Sequence, residues 1–252
     1  MRSTRASAAA RRRRALGAVL LVGASVCACA TPPPAPLTRD AQTLPDAELD
    51  RRVDFITQRL EASRTPARIW HWSWLAINGG AGAALNTGLA IADDNKVARS
   101  SAIVQAVYGA VGVATQFVDP MNAQDGAEPL KALPDATRAE KVQKLERAEA
   151  ILQQNAARNA QRTSWTLHLG NAAASAAAGL IVYAFGGKTD AAITGGSIFA
   201  GGELFLWTMP PGPVRDLEDY QALIQGHGPG AGAPTSSRAA FSGPRGLFSV
   251  RF

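Results

Sequence analysis

A chain of 252 residues has room for one or two domains, and its only cysteines, Cys27 and Cys29, leave the rest of the sequence without a disulfide or a thiolate metal site. Apolar residues make up 46% and charged residues 18%, with alanine and glycine outweighing leucine and phenylalanine, so burial gains little per residue but helix backbones can approach closely. The formal net charge of +6 is matched by six N-terminal arginines, Arg2, Arg5 and Arg11 to Arg14, so the basic balance gives no reason to expect a nucleic-acid partner.

Residues 1–28 read as an export signal. The run Arg11-Arg12-Arg13-Arg14 precedes an apolar stretch, Ala15 to Val26, that is too short to span a bilayer and suits a signal core. It ends Val26-Cys27-Ala28-Cys29, which resembles a bacterial lipobox. The resemblance implies that Cys29 is lipidated and becomes the first residue of the mature chain, with Ala30 after it leaning toward the outer membrane. Ordinary cleavage after Ala30 is the competing reading, because Ala28-Cys29-Ala30 also satisfies a small-x-small rule. Residues 29–45 form a proline-rich tether, extended and semi-rigid, lifting the body off a membrane.

The body reads as all-α, built as two tandem repeats, each an amphipathic helix followed by an apolar helical hairpin. Repeat 1 covers residues 46–123 and repeat 2 covers 124–212 with its leading linker. In repeat 1, Leu49, Val53, Ile56 and Leu60 make one apolar stripe over Asp46 to Ser63, with Pro66 expected to stop the helix. An apolar hairpin follows from Trp70 to Val118, turning at Asp93-Asp94-Asn95-Lys96. Residues 119–135 are polar and punctuated by proline, hence a loop. In repeat 2, Thr137-Arg138-Ala139-Glu140 forms a capping box, Val142, Leu145, Ile151, Leu152 and Ala156 mark the apolar face, and Glu140 to Lys144 suggests an i,i+4 ion pair. A second apolar hairpin runs from Trp165 to Met209. A shift of about 91 to 93 residues places Trp72 on Trp165, Asn78 on Asn171, Lys96 on Lys188 and Pro120 on Pro211. Residues 213–225 form a further amphipathic helix with Leu217, Tyr220 and Ile224 in register. Residues 226–252 read as a disordered tail with an apolar end, Phe248, Val250 and Phe252.

The four apolar segments have the length of a bilayer span and carry small residues at helix-contact spacing, Gly79 with Ala83 and Gly196 with Ala200. Close contacts are expected at Gly109 and Gly196. Trp70, Trp72, Trp74, Trp165 and Trp207 fall at one end of the bundle, as an interfacial aromatic belt would. Against a membrane stand Asn78, Asn86, Gln105, Gln116, His168, Asn171 and Glu203, which interrupt the apolar runs, and the many basic residues in the connections. The segments therefore fit two readings, integral membrane hairpins and a soluble or surface-bound helical bundle.

His71, His168 and Glu203 make a possible functional polar cluster, because two imidazoles and a carboxylate could hold a metal or relay a proton. The plainer expectation is that the histidines are interfacial and that Glu203 is hydrogen-bonded to a polar partner such as Asn78, Asn86 or Asn171. Catalytic motifs of the HExxH, GxSxG, P-loop and CxxC kinds are missing, so no catalytic residue, metal or cofactor is assigned. The expected function is that of a non-enzymatic bacterial cell-envelope lipoprotein with a structural or interaction role. Its partners would be membrane lipid and either a second copy or another envelope protein. The alternative is a transport or pore component built from the hairpins.

Overall fold

The computed structural model describes residues 37–38, 40–118 and 120–226, all helix, turn or loop with no strand among them. The signal, Cys29, most of the tether and the C-terminal tail lie outside the described residues. Six long helices carry the fold: α1 Asp46–Ala92, α2 Lys96–Val118, α3 Arg138–Arg162, α4 Trp165–Tyr183, α5 Lys188–Trp207 and α6 Gly212–Ile224. Short turns at Asn122–Asp125 and Glu128–Lys131 punctuate the long connection before α3.

The first finding corrects the expected stop at Pro66. The helix passes through this proline, so the amphipathic stripe and the first apolar segment are one rod of 47 residues. Proline removes the bond to the carbonyl four residues back. Here Ala62 and Pro66 both lie on the exposed side, where water can take that carbonyl. Leu60 before the proline and Ala67 and Trp70 after it are buried, and this packing holds the two halves in line.

The N-terminal half of α1 packs with α3 and α6 around a core of Leu49, Ile56, Leu60, Leu130, Leu145, Leu152 and Tyr220. The α3 start carries the expected capping box: Thr137 Oγ1 accepts from the Glu140 N–H at 3.3 Å and the Glu140 carboxylate accepts from the Thr137 N–H at 2.8 Å. Lys144 does not pair with Glu140. It reaches Asp135 at 2.7 Å, because Glu140 is already committed to the cap.

The C-terminal half of α1 pairs with α2, and α4 pairs with α5; α2 then lies against α4 and α5. Between Ile77 and Leu85, α1 widens into a π-helix, INGGAGAAL. Small side chains there let Gly82 approach α2, and a Cβ on Gly109 would lie 2.5 Å from backbone atoms of Gly82 and Ala83. The wide turn ends at Asn86, whose amide donates to the Ala81 and Gly82 carbonyls at 2.8 and 3.0 Å. In the second hairpin the close approach is Gly179 against Gly195. The expectation for Gly196 is corrected: a Cβ there would meet nothing within 4 Å, because Gly196 is one residue round the helix from the contact.

Candidate functional site

The two parts of the molecule meet at an aromatic junction. Trp70, Trp74, Met121, Ala123 and Met209 are buried together with Phe205 packed on them, and both indole N–H groups donate to Thr208 Oγ1, at 3.3 Å from Trp70 and 3.0 Å from Trp74. Trp72, Trp165 and Trp207 point outward at the same end of the hairpins and are more than half exposed. The five tryptophans thus divide into two that cap the core and three that face the surroundings.

Next to this junction lies the polar cluster. His168 sits in the first turn of α4 and Glu203 in the last turns of α5, so the antiparallel pairing of these helices brings them together. His168 Nδ1 lies 2.7 Å from Glu203 Oε2. Asn171 Nδ2 donates to Glu203 Oε1 at 2.9 Å, and Trp207 Nε1 donates to Oε2 at 3.2 Å. From α2, the Tyr108 hydroxyl donates to Asn171 Oδ1 at 3.2 Å. Glu203 is therefore hydrogen-bonded to the asparagine, in line with the plainer expectation.

His71 is not part of this cluster. It is buried against Trp72, ring edge to ring face, and its carbonyl accepts the Gln116 amide at 2.9 Å once that amide is turned to suit its neighbours. Among the described residues no three histidine, cysteine or acidic side chains are placed to hold a metal ion.

A second polar seam runs further from the junction. Ser101 of α2 and Thr194 of α5 share a 2.5 Å hydrogen bond, and Gln105 donates to Ser101 Oγ at 3.3 Å. Interhelical hydrogen bonds of this kind fasten helices where no water competes. A half-open cavity of about 10 Å³, the size of one water, lies among Asn155, Arg158, Asn159, Met121, Met209 and Pro213. An open groove of about 370 Å³ follows the small-residue face of α4 and α5 past Gly179 and Gly195.

Two buried acids lie in the other half, and of these Glu149 went unnoticed in the sequence. Glu149 is 1% exposed on the core face of α3, bonded to the Tyr220 hydroxyl at 2.6 Å. Burial and the bond to Glu149 push the Tyr220 hydroxyl above its ordinary value. Asp216 of α6 accepts from Ser63 Oγ at 2.6 Å, and burial pushes its carboxyl up. For Glu149 the signal was present, since it falls four residues after Leu145 and three before Leu152, inside the apolar stripe. The chain matches no protein-family model, no curated protein and no solved structure.

Proposed function

We propose that the chain is a bacterial cell-envelope lipoprotein whose two hairpins sit in a lipid bilayer and whose other half stands in water as an interaction module, without enzymatic activity. One observation carries this reading. Among the described residues the exposed large apolar side chains all fall between 69 and 118 or between 165 and 207, from Ile69 and Trp72 to Leu204 and Trp207. Soluble proteins rarely expose a contiguous apolar surface of that extent.

Several facts support the seating. Two helices, Asp46–Ala92 and Lys96–Val118, are long and apolar enough to cross a membrane, and their apolar windows are 0% and 17% buried. Helices α4 and α5, with 19 and 20 residues, have lengths of about 28 and 30 Å, close to the hydrocarbon thickness. The turns at Asp93 to Lys96 and Lys188 to Asp190 bring charge back at the far end. The two hairpins also share a detail that supports duplication: the Asn78 side chain lies on Gly112 of α2 as the Asn171 side chain lies on Gly202 of α5.

Lipidation of Cys29 would add a second anchor. Alkaline carbonate extraction of the full chain and of Cys29→Ser tests the reading. Both proteins are expected in the membrane pellet, and release of Cys29→Ser into the supernatant would leave only a lipid-held surface protein. The transport alternative draws support from the polar residues between the hairpins, Ser101, Gln105, Tyr108, Thr194 and Asn171. They bond one another across the contact, which favours a closed seam. Ion flux through vesicles containing the purified chain would decide for the alternative.

A further inference from the structure

The two buried carboxylates are held in opposite ways. Glu149, 1% exposed, accepts from the Leu37 and Thr38 N–H groups, each at 3.0 Å, and from the Thr38 and Tyr220 hydroxyls at 2.5 and 2.6 Å. Four donors are enough to keep a charge in place away from water. Asp216 of α6 is 6% exposed and has one hydrogen-bond partner among the described residues, the neutral Ser63 hydroxyl of α1, which donates to Oδ2 at 2.6 Å. Gly212, the first residue of α6, closes over this pair: a Cβ there would lie 2.7 Å from Ser63 Oγ and 3.9 Å from Asp216 Oδ2.

No cation is placed to balance Asp216. Arg59 of α1 favours its charge and Asp219 of α6 opposes it, and these two pair with each other at 2.7 Å. From α3, Asn155, Arg158, Asn159 and Arg162 line the cavity beside Pro213 at the start of α6. Arg158 Nη1 donates to the Pro120 carbonyl and to Asn122 Oδ1, and neither arginine bonds Asp216. A buried carboxyl with a single neutral partner is better tolerated as the neutral acid, which can still donate to or accept from a hydroxyl. Burial accordingly pushes the Asp216 carboxyl up.

We propose that the docking of α6 takes up a proton at Asp216, so that α6 is a pH-sensitive clamp that grips α1 in acid and loosens as the medium becomes neutral. The sign follows from linkage. A carboxyl raised on folding stabilises the docked state fully below its ordinary 3.8, and that contribution is lost as pH rises through the raised value. The element that responds is small and terminates a packed unit: α6 has 13 residues, follows α5 through Pro210 and Pro211, and lays Tyr220 and Leu217 on the core of Leu49, Ile56 and Leu145. Loosening it uncovers that core. The clamp lies in the half built from α3, α6 and the start of α1, and it does not rest on the bilayer seating of the hairpins.

Urea unfolding of the full chain in detergent from pH 4 to pH 8, wild type against Asp216→Asn, tests the clamp. Asparagine keeps the shape and accepts from Ser63 without ionising. The two proteins should agree near pH 4 and separate above it, the wild-type unfolding constant rising against the variant's by up to tenfold per pH unit while Asp216 titrates. Curves that stay parallel, or a variant that grows weaker than wild type toward pH 8, would overturn the proposal. The carboxyl 13C resonance of Asp216 in the wild-type protein keeps the test decisive if the variant does not fold: it should titrate above 3.8, and titration at or below 3.8 refutes proton uptake. Hydrogen exchange, corrected for intrinsic rates, locates the response. Amides of residues 212–224 should lose protection with rising pH while those of 142–152 keep theirs; equal losses in both would mean that α6 is no clamp.

Discussion

The half of the molecule formed by α3, α6 and the start of α1 buries its large side chains, and the half formed by the hairpins buries mainly small ones, with Val182, Ile198 and Leu206 as the large exceptions. In the first, Leu49, Ile56, Leu130, Leu145, Leu152 and Tyr220 are almost fully covered. In the second, the covered residues include Ala102, Gly109, Ser175, Ala178, Gly179, Ala191 and Thr194, while Ile77, Leu85, Ile91, Leu180, Ile193 and Leu204 point outward. Charge follows the same division. Ion pairs such as Arg59–Asp219, Lys131–Glu61 and Lys141–Asp50 surround the first half. The difference teaches that one helix, α1, obeys two rules along its length. Water rewards burying large apolar groups; where the surroundings are themselves apolar, close backbone packing and hydrogen bonds are what remain to hold helices together.

The comparison breaks most visibly at Leu145. Leu145→Ala should cost about 2–5 kcal/mol, as other leucine deletions in cores do. Urea unfolding followed at a probe near Tyr220 would measure it, with the hairpins in detergent keeping their helicity. The matching lesion in the other half adds bulk instead of removing it. Gly109→Leu should cost about 1–3 kcal/mol, since the side chain would meet backbone that cannot swing away. Gly196→Leu should leave the detergent melting curve unchanged. Equal effects from the two glycines would mean that the hairpins are not held by the Gly82–Gly109 approach.

A pair of hydroxyl deletions sharpens the same contrast. Tyr220→Phe removes a donor from the buried Glu149 and should cost about 1–3 kcal/mol. Tyr108→Phe removes the bond to Asn171 between hairpins and should cost only about 0.6 kcal/mol, the average for such bonds in a membrane helix bundle. Chemical denaturation of each in the same detergent gives the ratio.

The smallest effect is a pH dependence confined to the half built from α3, α6 and the start of α1. Hydrogen bonding to Arg51, and next to Arg52, holds the Glu48 carboxyl at about 2, below its ordinary 4.5. A depressed carboxyl stabilises the fold above 4.5, and that contribution fades as pH falls from 4.5 toward 2. Glu48→Gln should lose that contribution at pH 7 and flatten the acid limb between 4.5 and 2, so that the two proteins converge at the acid end; a loss that persists at the acid end would point to packing instead of charge.

Much of the fold was legible because its signals are local. The stripe Leu49, Val53, Ile56 and Leu60 and the Thr137–Glu140 capping box depend on neighbours three or four positions apart, and the helix starts at Asp46 and Arg138 stand where these signals put them. That Glu203 would bond an asparagine was legible too, but not which of Asn78, Asn86 and Asn171 it would be. Sequence alone therefore determined an all-helical chain with a few long helices. Only the tertiary structure decided the rest: that α1 runs through Pro66, that Gly195 and not Gly196 faces α4, that His71 turns away from His168, and that Glu149 holds residues 37 and 38. Each depends on which side of a helix meets a partner brought from elsewhere in the chain. One residue is about 100° on an α-helix, so a periodic pattern that places the element correctly still leaves the contact undetermined until the neighbouring backbone arrives.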